Sequence, residues 1–225
     1  ILLADLESLE KRLEKNKKKK MSQDEINFLE ECLKLINKGE KLESIRSNFN
    51  KNFIKRSGLL SLKPKIIVCN VDEKSLPNGN KYSEECKKKF SSENVIIVCA
   101  DIEDQIMNLQ EKDRKDFMIE SGIKNTGLNN LIKTGYKTLG LSTFFTSGPE
   151  ESRAWTIERN YNAAEAAGVI HTDFKKKFIR AETVSHEDFI KYKGFNECKV
   201  AGKLRLEGKD YIVKDGDVML FRTGA

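Results

Sequence analysis

No stretch of the sequence approaches the ~20 consecutive apolar residues that a helix needs to cross a bilayer, so no membrane partner is expected. A secretory leader pattern is missing as well, because Ile1 opens directly into charged, amphipathic sequence. Histidine is scarce, with two residues in 225. The five cysteines (Cys32, Cys69, Cys86, Cys99 and Cys198) form no CxxC pair and are odd in number. A metal site of the zinc type is therefore not expected, and free thiols in a reducing cytoplasm are. No G-x-x-x-x-G-K-[ST] phosphate loop occurs, and the first residue is not Met. The expectation is the C-terminal portion of something longer. Ile, Leu, Val and Phe are by contrast plentiful, and 41 Lys and Arg nearly balance 35 Asp and Glu for a net charge of +6. That composition excludes disorder as a global description.

The excess charge is concentrated at one end. Residues 1–60 hold 14 basic and 10 acidic side chains, including the run Lys17-Lys18-Lys19-Lys20, while the remaining segments are close to neutral. Such a run is either a solvated helix end or an electrostatic contact with a polyanion such as RNA. In the same segment Leu2, Leu6, Leu9 and Leu13 step at helical spacing. Ser22 with Glu25 is a capping-box pattern for a second helix, which Ile26, Leu29, Leu33 and Ile36 continue until Gly39 stops it. The spacing predicts a coiled-coil-like helical hairpin over 1–60. Its apolar stripes are narrow, so it is expected to dock on, or project from, another domain.

The period then changes. Lys65–Cys69 and Val95–Cys99 are short apolar runs some 30 residues apart, with helical sequence around Tyr82–Phe90 between them. That is the pattern of parallel strands buried on both faces of an α/β sheet, and two strands are too few to complete one. Further helices are predicted over Asp113–Glu120 and Leu128–Leu139. From Leu141 onward the predicted strands are Ser142–Ser147, Arg153–Glu158, Phe178–Val184, Lys209–Lys214 and Asp217–Phe221. Short helices are predicted over Asn162–Ala167, ended by Gly168, and over His186–Lys193, with Asp215-Gly216 as a turn. The fold class is thus α/β plus α+β, in segments 1–60, 61–140 and 141–225.

Ligands of open α/β sheets bind beyond the carboxyl ends of the strands. Asn70-Val71-Asp72-Glu73 follows the first run and Ala100-Asp101-Ile102-Glu103 the second. An Asn carboxamide suits adenine, accepting from N6 while donating to N7. GTPases usually carry Asn-Lys-x-Asp here, whose Asp accepts from two guanine donors. Glu73 stands at the Asp position, one methylene longer, so adenine over guanine is expected. An Asn-x-x-Glu by itself is a common polar turn, and its position after a strand is what raises it.

Several stretches carry a resemblance: Ala4–Leu13, Asn70–Glu73, Arg153-Ala154-Trp155-Thr156-Ile157, Ala167–Phe174, Phe178-Ile179-Arg180-Ala181-Glu182, Ala201–Tyr211 and Asp215–Met219. Over essentially its whole length the chain resembles the C-terminal portion of the Obg-like ATPases of the YchF type, among the translation-factor-related P-loop NTPases. The resemblance implies a layout of helical hairpin, C-terminal part of a parallel-sheet G domain, and a β-grasp TGS domain. For the intact parent it also implies ATP hydrolysis with Mg²⁺, ribosome association and a cytoplasmic location. Asn70 and Glu73 would lie in the adenine-selective loop, Val71 would lend a backbone contact, and Ala100 would fall in the loop closing over the base. The phosphate-holding and catalytic groups would precede Ile1, so this piece should hold no tightly bound nucleotide and hydrolyse none. A monomer is expected.

The rival reading is a non-enzymatic RNA- or ribosome-binding module in which Asn70–Glu73 is vestigial. Lys175, Lys176 and Arg180 form a second candidate RNA patch, with a solvated surface as the alternative. His171 beside Asp173 reads as structural, and Trp155 as core of the small sheet. Lys177 stands where family members usually have Gly, which would strain the backbone if φ were positive there. Cys69 and Cys99, ending the two strands, are candidate sites of oxidation that perturbs the base site.

Overall fold

The computed structural model describes residues 1–16, 21–90 and 94–224. The chain divides into two compact units, Ile1–Lys65 and Ile66–Ala225.

In the first unit, helices α1 (Leu2–Asn16) and α2 (Gln23–Asn37) pack through the apolar stripes read from the sequence. Ser22 caps α2 by accepting from the Glu25 amide at 3.3 Å. Gly39, at φ +72°, ends it in a left-handed turn, with the Glu40 amide returned to the Leu35 carbonyl. The stripes do not wait for another domain. Leu9, Phe28, Leu29 and Cys32 are closed over by Leu42, Ile45, Leu59 and Leu62 from a segment that the hairpin reading left blank. That segment is a 3₁₀ turn (Leu42–Ser47), the short helix α3 (Lys51–Ser57) and a second 3₁₀ turn (Leu60–Leu62). Phe28 meets Phe49 edge to face at 5.2 Å. Burial, with Asp5 and Glu31 nearby, pushes the Cys32 thiol up to about 12.

One carboxylate ties this covering segment to α1. Asp5 is 2 % exposed and accepts from the Leu60 amide at 2.8 Å and the Ser61 amide at 2.7 Å. Leu59, the residue at the N-cap of that turn, offers no side-chain cap, so Asp5 supplies one from a distant helix. Arg12 and Arg46 act in the opposite sense, donating to the carbonyls of Ser57 and Leu62.

The second unit begins with the parallel pair β1 (Ile66–Asn70) and β2 (Asn94–Val98), registered Ile66 to Asn94 and Asn70 to Val98. Helix α4 (Lys81–Lys89) lies between them in sequence and opens with a reciprocal capping box of Asn80 and Ser83. Helices α5 (Ala100–Asn108), α6 (Glu111–Glu120) and α7 (Gly127–Leu139) follow. Gly140, left-handed at φ +66°, turns α7 into β3 (Leu141–Ser147).

From there the chain forms a mixed five-stranded sheet with β4 (Ser152–Glu158), helices α8 (Ala163–Ile170) and α9 (Thr172–Lys176), β5 (Phe178–Ser185), helices α10 (His186–Tyr192) and α11 (Phe195–Val200), β6 (Arg205–Glu207) and β7 (Asp217–Thr223). The order is β4-β3-β7-β5-β6, with β3 and β7 parallel and the other neighbours antiparallel. Phe144, Ile157, Ala181 and Met219 face Ala163 and Ala166 of α8, whose small side chains let the helix approach the sheet closely. Trp155 joins this core, donating from Nε1 to Thr146 at 2.9 Å beneath the Arg153 guanidinium.

Three local expectations are corrected. Lys209–Lys214 is not a strand. Its Lys209 and Tyr211 carbonyls accept from the first amides of α8, and Ile212 makes one isolated bridge to Asn162, so its backbone is committed elsewhere. The edge beside β5 is taken instead by β6. Gly168 does not end α8, which continues to Ile170. Lys177 has φ −100°, a conformation open to any residue, so the missing glycine costs nothing.

Hydrogen bonds from Ser61 and Leu60 outweigh burial and hold the Asp5 carboxyl below its ordinary value. Its stabilising effect is therefore complete above the unfolded carboxyl range and is lost as pH falls through the lowered value. Asp5→Asn should destabilise the first unit by about 1–3 kcal/mol at neutral pH. In urea titrations the gap from wild type should close on acidification.

Candidate nucleotide-base site

The parallel register brings Asn70 and Val98 side by side at the carboxyl ends of β1 and β2. The Val71 amide donates to the Val98 carbonyl at 2.8 Å, extending the ladder by one rung, and the Val71 side chain is 8 % exposed. The backbone contact expected from Val71 thus cannot use its N–H, which is committed to the sheet; its carbonyl is the remaining group.

Asn70, the last residue of β1, reaches across to the start of α5. Its Oδ1 accepts from the Ala100 amide at 3.0 Å. An N–H must meet an acceptor, so this bond fixes which way the carboxamide points. It also corrects one expectation. Ala100 does not lie in a loop closing over a base; it is the first residue of α5, whose N-cap Cys99 offers no side-chain cap. Ala100 donates one of the orphan amides of a helix start, and Asn70 satisfies it from the neighbouring strand. One lone pair of Oδ1 is thereby engaged, and Nδ2 has no acceptor among the described residues. That donor suits N7, which adenine and guanine share.

The next residues divide their labour. Asp72 caps the 3₁₀ turn Glu73–Ser75, accepting from the Ser75 amide at 2.9 Å and its hydroxyl at 2.6 Å. Glu73 is exposed, and its carboxylate has no hydrogen-bond partner among the described residues. The lip of the sheet therefore presents one amide donor and one free carboxylate.

A group not singled out from the sequence, Glu103, fixes the other side of this end. Its carboxylate accepts from the Gly127 and Leu128 amides and caps α7. A cavity of about 330 Å³ opens beside it, lined by Leu76, Pro77, Val98, Cys99, Ile123 and Asn130 among others. Asn70, Val71, Glu73 and Ala100 do not line it. The signal for α5 was the pair Ile102 and Ile106, one helical turn apart and both buried. Cys69 and Cys99 are not brought together. Burial, then a hydrogen bond with Cys86 of α4, raises the Cys69 thiol.

Of the candidate basic residues, Lys17–Lys20 lie outside the described residues. Lys175 and Lys176 are exposed on α9 and line a common cavity with Tyr161. Arg180 does not share it; on β5 it stands in register with Arg222, beside the Arg222–Glu182 ion pair. His171 caps α9, its Nδ1 accepting from the Asp173 amide at 3.2 Å. No helix among the described residues is long and apolar enough to cross a membrane.

Taken together, these elements define a mixed α/β protein with a parallel pair in which the end of β1 is bonded to the helix that follows β2. Residues 141–224 match the family profile described as YchF-GTPase_C, a protein of unknown function (DUF933). The chain is 44% identical over 229 residues to "Ribosome-binding ATPase YchF" of Escherichia coli O157:H7, covering 98% of itself and 63% of that protein. It is 42% identical over 232 residues to the protein of the same name from Bacillus subtilis (strain 168), covering 99% of itself and 63% of the relative. The solved "Structure of the Schizosaccharomyces pombe YchF GTPase" superposes with a TM-score of 0.72 at 31% identity, over 98% of this chain and 63% of that one. Over nearly its whole length the chain is similar to the YchF proteins, and it spans a little under two thirds of the length of these relatives.

Asn70→Ala should leave the Ala100 amide without its acceptor. Amide hydrogen exchange at Ala100 should accelerate about tenfold or more, with the β1–β2 amides retaining their protection.

Proposed function

We propose that the full-length protein is a ribosome-associated ATPase, and that this chain supplies the base-reading end of its nucleotide domain together with two docking elements. The observation that carries the nucleotide reading is the Asn70–Ala100 bond, which holds a carboxamide donor at the lip of a parallel sheet beside a free Glu73. In this reading Nδ2 of Asn70 donates to purine N7. Selection against guanine falls to Glu73, because a carboxylate displaced by one methylene cannot meet both guanine donors as an Asp does. The Val71 carbonyl is the acceptor left for adenine N6.

The relatives' names support hydrolysis but divide over the base: the bacterial ones are called ATPases and the fission-yeast one a GTPase. The residues at the lip fit the base end of ATP. The sequence holds no phosphate-loop motif, so the phosphate cradle, the Mg²⁺ ligands and the groups acting in hydrolysis would lie outside these residues. ATP with Mg²⁺ supplies the phosphoanhydride to be cleaved; this chain's part is to orient the purine.

We assign residues 1–60 as the helical docking element, 61–140 as the C-terminal part of the G domain, and 141–225 as a β-grasp TGS domain. Support for the last is the mixed sheet with α8 laid across one face. The basic residues, Lys17–Lys20 on the first element and Lys175, Lys176 and Arg180 on the last, would meet ribosomal RNA. A cytoplasmic monomer accords with this role.

Competition titrations of the full-length protein should show ATP binding at least tenfold tighter than GTP. Asn70→Ala should weaken both nucleotides alike, by about tenfold, and Glu73→Asp should narrow the gap between them. Equal affinity of the wild type for the two, or for neither, overturns the reading in favour of a non-enzymatic ribosome-binding module.

A further inference from the structure

Lys175 and Lys176 are not two members of a diffuse basic surface. They line one cavity of about 390 Å³ with Tyr161, Glu165, Gly168, Val169 and Thr172, formed where α9 folds back on α8. Neither lysine has a carboxylate partner, and the hydroxyls of Tyr161 and Thr172 make no hydrogen bond among the described residues. The one acid of the lining, Glu165, is held in the α8 capping box, its carboxylate accepting from the Asn162 amide at 3.0 Å.

The position of Lys175 is built into the packing. A Cβ placed on Gly168 would come within 3.1 Å of the Lys175 Cβ and 3.3 Å of its Cδ. The lysine stem therefore lies across the bare backbone of Gly168, which explains why a glycine sits inside a helix that does not end there. The lining residues carry two ammonium groups and two hydroxyls unpaired among the described residues, and the Tyr161 ring, which is partly packed against the core of the sheet.

We propose that this cavity takes one nucleotide of single-stranded RNA, its phosphate between Lys175 and Lys176 and its base against the Tyr161 ring. The volume suits a single nucleotide, and a ring beside paired cations is the arrangement that binds unstacked strands. A duplex keeps its bases stacked and offers no partner for the ring. The inference deepens the ribosome-binding reading and rests on it for the identity of the polyanion.

The test is fluorescence anisotropy of labelled oligouridylate against this chain over a range of KCl, with variants first checked for unchanged circular dichroism. Lys175→Gln with Lys176→Gln should weaken binding tenfold or more at low salt. The slope of log affinity against log salt should become shallower by about 0.7, the contribution of one neutralised single-strand phosphate. Gly168→Ala, which removes no charge, should weaken binding severalfold by displacing Lys175, and Lys175→Arg should restore most of the slope. An unchanged slope in the double variant, no binding by the wild type, or equal competition by an RNA duplex of the same length overturns the proposal. Co-sedimentation of the full-length protein with ribosomes separates the two readings. If it fails, the functional reading falls while the oligouridylate slope still judges the cavity; if it persists unchanged in the double variant with a normal slope, only the cavity falls.

Discussion

A single hydrogen bond between the ends of two parallel strands organises the candidate site. The start of α5 leaves amides that its own turn cannot satisfy, and Cys99 offers no side-chain cap. Asn70 meets the Ala100 amide from the adjacent strand. One oxygen thereby does structural work, and the direction of the remaining NH₂ follows from it. The polar groups at the lip sort themselves accordingly: Val71 completes the ladder, Asp72 caps its own turn, and Glu73 is left unengaged. A site that reads a ligand needs some groups held and others free, and here the holding is done by backbone amides.

The same device recurs away from the strand ends. Asp5 caps a 3₁₀ turn from a helix 55 residues earlier in the chain, and Glu103 caps α7 from α5, 24 residues away. The carbonyls of Lys209 and Tyr211 serve the first amides of α8. In each case first-turn amides that no local side chain reaches find an acceptor through tertiary contact, beside the local caps Thr126 of α7 and Asn162 of α8. Acidic side chains do this well because the amide ends of helices carry partial positive charge. The cost of such remote caps is legibility: nothing near Leu60 or Gly127 in the sequence announces them.

Much of the architecture was readable in advance. The leucine spacing of α1, the Ser22 cap, the Gly39 stop and the two apolar runs of β1 and β2 all rest on local periodicity, and each forms the expected element; β1 is not buried on both faces as expected, since Val68 is 47 % exposed. The misreadings share a cause. Lys209–Lys214 has strand-like composition, yet its backbone is spent on α8. Gly168 has the composition of a helix stop, yet a lysine stem packs over it. Ala100–Glu103 opens a helix that the one-turn spacing of Ile102 and Ile106 marks and its polar residues mask.

From the sequence alone came the helical and extended periods, the order of the segments and the placement of Asn70 and Glu73 at the end of an apolar strand. These depend on residues within a few positions of one another, where stereochemistry leaves few choices. Which atom of Asn70 is free, whether Val71 has an amide to offer, and that Lys175, Tyr161 and Gly168 share a cavity while Arg180 does not were decided only by the tertiary structure. Those outcomes depend on hydrogen-bond partners and packing neighbours supplied from elsewhere in the chain, and a linear pattern does not encode which distant group arrives first at a given donor.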